Sequence, residues 1–384
     1  MSRPGEQIRA REAGIVIGEG TPGPNNAITD VAGVRVGHTT LIQGDGPLDV
    51  GRGPIRTGVT VILPPGPLWR EPLFAGAHRL NGNGELTGLE WVRESGMLTT
   101  PVALTNTHSV GVVRDALIAH ELQEWGPQPG YWWSLPVVGE TWDGMLNDIN
   151  GFHVKPAHVH EAIAQAGTGR VPEGSVGSGT GMICHGFKGG IGTASRVRPA
   201  SEGGYTVGVL VQANHGRRER FAVNGAPVGR ELGPGEIPLP DEIPPPGGAR
   251  LAEGSGSIIV IVATDAPLMP MQCARLAQRA GLGVARTGGV GEHSSGDLFF
   301  CFATGNRAIT ASEPGPQAPI TVALEMLSDT YITGLFDAVV ECTEEAIVNA
   351  ILAAGTMVGR DGVTAYGLPD ERLIAALRRY RPAG

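Results

Sequence analysis

Short runs of β-branched, aliphatic and aromatic residues predict strands at several points along the chain. They cover residues 58–63, 205–211, 258–263 and 298–302. Such residues favour extended backbone, and the first two runs end at turn-forming residues, Pro64 and Asn214-His215-Gly216. The run at 258–263 is the most sharply apolar stretch of the sequence.

Between these runs, apolar residues recur at steps of three or four and predict helices. Residues 109–125 show this period clearly. A second helix should begin at Pro270, a residue that suits the first helical position, and end at Gly281. A third should be capped by Thr343 and stop at Gly355. Strands with packed helices predict a layered α/β fold.

One stretch, residues 227–250, interrupts both patterns. Seven prolines lie between Pro227 and Pro246, with three glycines among them. Because proline lacks the N–H that a sheet ladder needs, we expect an extended, solvated loop here. A plain interdomain linker would have the same composition.

Composition narrows the classes of function. Only 17% of the 384 residues are charged and the formal net charge is −9, with no basic stripe, which argues against nucleic acid as a partner. The four cysteines are far apart and form no Cys-x-x-Cys pair, so neither a disulfide framework nor a zinc site is expected. Dinucleotide-binding and P-loop fingerprints are absent, and no cofactor is expected.

Localisation follows from the lack of apolar segments. The amino-terminal residues contain no continuous apolar run of the signal-peptide kind, and no later stretch reaches the roughly 20 apolar residues of a membrane span. We therefore expect a soluble, cytoplasmic protein that does not bind membranes.

A candidate self-cleavage site and nucleophile lie at Gly256-Ser257, directly before the apolar run. Cutting this bond would give Ser257 both a hydroxyl nucleophile and an α-amino group, whose pKa of about 7.7–8.0 suits a general base near neutral pH. Glycine before the serine permits the strained backbone that attack on the preceding carbonyl requires. Taken alone, however, Gly-Ser pairs are common in loops.

Further stretches make the interpretation more specific, and they are residues 29–39, 81–88, 139–144, 181–196, 211–216, 256–268 and 291–297. With these blocks in this order, the chain resembles the DmpA family of self-processing aminopeptidases from about residue 10 to its end. The resemblance implies an αββα sandwich of the DmpA and ornithine acetyltransferase-like type. It also implies one intertwined domain, residues 1–384, cleaved into chains 1–256 and 257–384. Family members assemble as oligomers of such pairs, commonly tetramers, without metal or cofactor.

The resemblance also assigns roles to residues that local sequence alone would leave in turns. Asn214 corresponds to the family's oxyanion donor, and an asparagine side chain carries two N–H groups for that task. Ser295 and Asp297 correspond to the serine and acid that complete the nucleophile's hydrogen-bonded set. Their i, i+2 spacing places both side chains on one face of an extended segment. Without the resemblance, Ser-Gly-Asp indicates a turn and Asn214 a turn asparagine.

Substrate recognition is assigned in the same way. Glu140 corresponds to the carboxylate that holds the substrate amine, a natural partner for an ammonium group. Trp142, two residues further on, replaces a tyrosine of the family and would stack over the cation or shape the pocket. Considered locally, Glu140 would be a solvated helix-cap acid and Trp142 a buried aromatic.

Two other functions stay open at this point. An acyltransferase of the ornithine acetyltransferase-like type would share the self-cleaving logic, although its nucleophile would be threonine. A binding protein that kept the fold but lost cleavage is the non-enzymatic alternative. The preference among L-, D- and β-amino-acid substrates depends on pocket shape, which spacing does not reveal.

Overall fold

A computed structural model describes residues 8–125, 132–240, 256–307, 309 and 319–380. The strands are β1 (Arg35–Gln43), β2 (Ile55–Leu63), β3 (Leu73–Arg79), β4 (Met97–Leu98), β5 (Val102–Asn106), β6 (Val137–Thr141), β7 (Ile183–Cys184), β8 (Phe187–Lys188), β9 (Gly190–Val197), β10 (Thr206–Asn214), β11 (Ser257–Thr264), β12 (Asp297–Ala303), β13 (Met357–Val358) and β14 (Thr364–Ala365). The α-helices are α1 (Leu89–Ser95), α2 (Val110–Trp125), α3 (Pro156–Ala164), α4 (Pro270–Arg286), α5 (Ile332–Leu352) and α6 (Asp370–Arg378).

Two mixed sheets form the centre of the protein. The smaller sheet has the order β1-β2-β5-β6, and the larger has the order β4-β3-β12-β11-β10-β9. In the larger sheet β11 runs parallel to β12 and antiparallel to β10. The first residues of β11 and β12 and the last residue of β10 therefore lie at the same end of these three neighbouring strands.

The sheets pack face to face, and helices cover their outer faces. Helices α2 and α3 pack on the smaller sheet through one apolar cluster, and α4 and α5 pack on the larger sheet through another. A third cluster fills the space between the sheets. The resulting order of layers is that of an αββα sandwich, as expected.

The position of β11 explains its unbroken apolar sequence. Ile258, Val260 and Val262 point toward the layer of α4 and α5. Ile259 and Ile261 point toward the smaller sheet. Alternate side chains of a strand face opposite sides, so a central strand of a covered sheet must be apolar at every position.

The helix predictions were correct in type but wrong at two boundaries. Helix α4 begins at Pro270 as predicted, yet it continues through Gly281 to Arg286. A Cβ atom on Gly283 would lie 2.5 Å from Cβ of Thr343 and 2.8 Å from the carbonyl oxygen of Val340. Glycine in this helix therefore serves the close approach of α4 to α5 and does not end the helix.

Thr343 does not cap a helix, which corrects the second boundary. Helix α5 begins 11 residues earlier, at Ile332, and Thr343 lies inside it with its hydroxyl bonded to the carbonyl of Val339. This i to i−4 bond satisfies the hydroxyl within the helix. The predicted end near Gly355 is close to the observed last residue, Leu352.

The first part of the proline-rich stretch is packed, in contrast to the solvated loop that composition predicts. Val228, Leu232 and Ile237 are buried in the cluster under α4 and α5. The guanidinium of Arg218 donates to the carbonyls of Leu232 and Ile237, so these buried acceptors are satisfied without a partner strand. Residues 241–250, and the Gly254-Ser255 pair, lie outside the described residues.

None of the helices described by the structure combines the length and the apolar character needed to cross a bilayer.

Candidate active site

Ser257 is the first residue of β11, and its neighbours come from both adjacent strands. Asn214, the last residue of β10, is its direct antiparallel partner, and Asp297 begins β12 beside Ile258. Direct partners in an antiparallel pair project their side chains to the same face. The sheet register thus brings together three residues that the sequence resemblance had singled out.

The Ser257 hydroxyl is buried and already held. Its Oγ atom accepts a 2.9 Å hydrogen bond from the backbone N–H of Gly296. Gly296 is itself closely packed, because an added Cβ would lie 2.5 Å from the carbonyl oxygen of Asn83. Only glycine lets this N–H approach Ser257 so closely.

Gly256 is required for a steric reason that differs from the expected one. It is not among the residues with a left-handed φ. A Cβ atom at Gly256 would instead lie 1.9 Å from the carbonyl oxygen of Asn214. The glycine therefore allows the chain before Ser257 to lie directly against the end of β10.

Ser295 and Asp297 form the predicted pair. Oγ of Ser295 donates a 2.6 Å hydrogen bond to Oδ1 of Asp297. Burial raises the pKa of Asp297 to about 6, although hydrogen bonds from Ser295 and from the N–H of Ile258 favour the ionised form. The Asn81 side chain accepts from the Asp297 N–H at 2.6 Å and so fixes the backbone of this segment.

Asn214 does not behave as a turn asparagine. Its Oδ1 atom accepts from the N–H of Ile183 at 2.8 Å, and its Nδ2 atom donates to the carbonyl of Trp142 at 2.9 Å. Both partners are remote in sequence. An amide nitrogen carries two donors, and one remains for a ligand as far as the described residues show.

Glu140 lies on β6 and is buried, so it is not a solvated cap. Its Oε1 atom accepts from the N–H of Glu85 at 2.9 Å, and its Oε2 atom accepts a short bond from the Thr107 hydroxyl. Burial raises the pKa of Glu140, while these two donors oppose the increase. These two donors hold the buried carboxylate in a fixed orientation.

Glu140 and Ser257 share one open cleft of about 590 Å³. Trp142 is half-buried in its wall rather than fully buried, and its ring packs closely against the backbone of Gly144. Further lining residues are Asn83, Gly84, Glu85, Thr107, His108, Gly256 and Ser294. Ser295, Asp297 and Asn214 lie behind this lining and contact Ser257 or its neighbours.

Some residues of the site escaped the sequence analysis. The N–H of Gly296 and the side chains of Asn81 and Thr107 act through contacts with segments far away in the chain. Asn81 belongs to one of the similar blocks, and this membership was the only available signal.

A possible metal-binding group was also missed, because its members are up to 31 residues apart. Donor atoms of Cys184, His185 and His215 lie within 4.8 Å of one another, and all three residues are buried. Burial raises the pKa of the Cys184 thiol to about 12 and lowers the pKa of His185 to about 4, so both groups are neutral. The guanidinium of Arg218, bonded to the His185 carbonyl, opposes binding of a dication here.

Comparison with known proteins shows which family the chain is similar to. A model of peptidase family S58 matches residues 26–365. The β-peptidyl aminopeptidase BapA of Sphingosinicella microcystinivorans is 48% identical over 379 residues, 98% of this chain and 93% of the relative. The solved β-aminopeptidase of a Burkholderia species is 54% identical, covers 98% of this chain and 100% of its own, and has a TM-score of 0.87.

A third similar protein is a prototype for the serine aminopeptidases. The solved L-aminopeptidase D-Ala-esterase/amidase of Ochrobactrum anthropi, described as a variant of the Ntn hydrolase fold, is 42% identical. It covers 97% of this chain and 98% of its own, with a TM-score of 0.84. The chain therefore belongs to peptidase family S58. It is an aminopeptidase of the DmpA type, a hydrolase of peptide bonds, and the acyltransferase alternative is not favoured.

Proposed function

We propose that the chain cuts its own backbone between Gly256 and Ser257, and that Ser257 is then the amino-terminal nucleophile of the mature enzyme. The observation that carries this proposal is the position of the Ser257 hydroxyl. It is bonded to the Gly296 N–H, and Ser257 and Gly256 line the cleft that also contains Glu140. The bond to be cut thus lies where a substrate bond would bind.

In the self-cleavage step, Oγ of Ser257 attacks the carbonyl carbon of Gly256. The hydroxyl proton passes to the departing amide nitrogen, which becomes the α-amine of Ser257, and an ester links the two residues. Water then hydrolyses the ester and releases the Gly256 carboxylate. The products, chains 1–256 and 257–384, remain one domain because apolar residues from both sides of the cut share the core under α4 and α5.

In the mature enzyme the α-amine of Ser257 accepts the hydroxyl proton as the hydroxyl attacks a substrate carbonyl. The remaining N–H of Asn214 would stabilise the negative oxygen of the tetrahedral intermediate, a contribution of about 10²- to 10³-fold in rate for one donor. Ser295 would pass a proton to the leaving amine, and Asp297 would orient Ser295 and stabilise the protonated amine. Water then hydrolyses the acyl-enzyme.

Glu140 would bind the free amine of the substrate. Its two oxygens are fixed by Glu85 and Thr107, so the carboxylate does not reorganise when the ammonium binds. Trp142 would form the wall beside this ammonium. Only substrates with a free amino terminus would pair with the buried carboxylate, which makes the enzyme an aminopeptidase rather than a general amidase.

For the substrate class we propose peptides and amides whose first residue is a β-amino acid. The support comes from the activity for which two relatives are named: a β-peptidyl aminopeptidase at 48% identity and a β-aminopeptidase at 54% identity, both matched over 98% of this chain. The Ochrobactrum relative, with L-aminopeptidase and D-Ala-amidase activity, is less similar at 42%. A cytoplasmic location and assembly of the cut pairs into oligomers stay predictions from the sequence.

The experiment compares Ser257→Ala and Ser257→Cys with the unchanged protein, using p-nitroanilides of β-homoalanine, L-alanine and D-alanine. Ser257→Ala should stay uncut and inactive, because it has no nucleophile, whereas Ser257→Cys should retain slow cutting. Ser294→Ala is the matched control, since this exposed serine lines the same cleft. Normal hydrolysis by Ser257→Ala would contradict the assignment, and the highest kcat/KM on an α-amino-acid substrate would contradict the proposed substrate class.

A further inference from the structure

Lys188, on β8, is a cation buried in the protein interior beside the candidate active site. Its Nζ atom donates to the carbonyl oxygens of Gly179, Met182 and Gly189, at 3.2, 2.9 and 2.9 Å. An ammonium group has three N–H donors, so this set uses all of them. A neutral amine has only two, and the complete set of bonds therefore requires the protonated form.

Burying the Lys188 ammonium without a counter-ion costs free energy. The side chain is fully excluded from solvent, and no carboxylate contributes to its electrostatic environment within the described chain. A buried charge without a counter-ion loses its hydration, and three neutral carbonyls replace that hydration only in part. Burial accordingly lowers the pKa of Lys188 to about 7.

The contacts of Lys188 lead directly to Asn214. The carbonyl that accepts from Nζ at 2.9 Å belongs to Met182, and the N–H of the same peptide unit belongs to Ile183. That N–H donates to Oδ1 of Asn214 at 2.8 Å. A single peptide unit thus connects the buried cation to the proposed oxyanion donor.

Polarisation along this connection has a definite sign. A cation at the carbonyl oxygen of a peptide makes the N–H of that peptide a stronger donor. A stronger bond at Oδ1 withdraws electron density from the Asn214 amide, and its Nδ2 hydrogens become more positive. The same bond also fixes the orientation of the amide, because Oδ1 accepts from Ile183 and Nδ2 is on the opposite side as the donor.

We propose that Lys188 is a positioning residue for the oxyanion site, which it orients and polarises through the Met182–Ile183 peptide and Asn214. This inference rests on the proposed role of Asn214. Lys188 itself touches no reacting atom. Its effect should therefore appear in kcat, where the oxyanion forms, and not in the binding of the substrate amine.

The test is a double-mutant cycle with Lys188→Met and Asn214→Ala, in which kcat and KM are measured per cut chain. We expect Asn214→Ala to lower kcat by about 100-fold or more. Lys188→Met should lower kcat by roughly 10-fold with little change in KM, since a cation acting through neutral groups contributes less than the direct donor. In the Asn214→Ala background, Lys188→Met should have almost no further effect, because the group through which it acts is gone.

Arg218→Met is the matched control. This buried guanidinium also donates to backbone carbonyls in the same turn, and those of His185 and Gly186 lie two residues or more beyond the peptide that bonds Asn214. Its effect on kcat should be the same with and without Asn214. If Lys188→Met does not fold, Lys188→Gln provides the second variant, because it removes the charge but keeps two N–H donors.

The outcomes separate the two claims. If Asn214→Ala leaves kcat unchanged, the proposed oxyanion role of Asn214 is wrong, and the inference is wrong with it. If Asn214→Ala is slow but the loss from Lys188→Met or Lys188→Gln is equal in both backgrounds, only the inference is overturned. Lys188 would then be a structural residue of the β7–β8 turn.

Discussion

Asn214 and Ser257 are direct partners across the antiparallel pair of β10 and β11. The distance between the proposed oxyanion donor and the proposed nucleophile is therefore set by sheet register, the most rigid geometry that the fold offers. A slip of one residue would turn one of the two side chains to the opposite face of the sheet. The tight packing of Gly256 against the Asn214 carbonyl holds this register at its end.

Gly256→Ala should strongly impair self-cleavage. The added Cβ would lie 1.9 Å from the carbonyl oxygen of Asn214, so the chain before Ser257 must move away. A displacement of about 1 Å at a reacting group lowers rates by about 100-fold. Gly233→Ala, in the same connecting stretch but with no atom within 4 Å of the added Cβ, should cut normally. Both rates can be followed on denaturing gels, and equal cutting of the two variants would contradict this steric role.

The pH dependence should reflect Asp297. Burial raises its pKa to about 6, above that of an ordinary aspartate, so ionisation is less favourable in the folded protein. This residue should make the folded state less stable as pH rises from about 4 to 6, since the unfolded chain loses its proton first. Activity should rise over the upper part of this range, because the ionised form supports the Ser257 amine.

The measurement is kcat/KM against pH for the unchanged enzyme and for Asp297→Asn. The variant should be slower and its acid limb should be less steep below about pH 6, because the limb that remains comes from protonation of the Ser257 amine. Ser294→Ala should keep the limb, since the side chain bonded to Asp297 is that of Ser295. An unchanged limb in Asp297→Asn would assign the titration to another group.

Glu140→Gln should remove the preference for a free amine. A charge-assisted bond contributes about 1.5–3 kcal/mol, so the unchanged enzyme should prefer free over N-acetylated amides by at least about 10-fold. The variant should lose most of this preference but still cut itself, because the Gly256–Ser257 bond presents no free amine. Glu85→Gln is the control for the second negative charge near Glu140, since the Glu85 side chain is exposed and its backbone N–H, which bonds to Glu140, is retained. Equal rates on both substrates in the unchanged enzyme would eliminate Glu140 as the amine site.

Two glycine substitutions test the packing of the helices. Gly283→Ala should lower the free energy of unfolding by about 1–3 kcal/mol, because its Cβ would overlap Thr343 on α5. Gly111→Ala, on α2 with open space around its Cβ, should raise it by up to about 1 kcal/mol through helix propensity. Urea unfolding of both variants gives the comparison, and stabilisation by Gly283→Ala would contradict the close packing of α4 on α5.

The fold was largely predictable wherever local pattern and burial coincide. The strand after Ser257 follows from its continuous apolar run, and the helix from residue 110 follows from its apolar period. Gly281 and Thr343 misled the prediction because each acts as a helix signal in isolation. In the protein, the glycines of α4 serve contact with neighbouring elements, and Thr343 bonds within its own helix. Tertiary contacts of this kind have no local signature.

Some residues of the site could also be predicted from the sequence, and others could not. Ser257, Asn214, Ser295 and Asp297 could be named because similar blocks contain them. Sheet register brings Ser257, Asn214 and Asp297 together, and a hydrogen bond joins Ser295 to Asp297. The Gly296 N–H that holds Ser257 is a backbone group and has no residue-specific signal. Lys188 appears in a glycine-rich run as an ordinary surface charge, and only the three carbonyls around Nζ show that it is internal.

The most direct test of the account is the mass and amino-terminal sequence of the purified, folded enzyme. Self-cleavage at Ser257 predicts two chains with the masses of residues 1–256 and 257–384, and a smaller chain whose sequence begins Ser-Ile-Ile-Val. The Ser257→Ala protein, purified in parallel, should give a single mass for residues 1–384. A fully active enzyme that consists of one uncut chain, or a smaller chain that begins at another residue, would contradict the central claim.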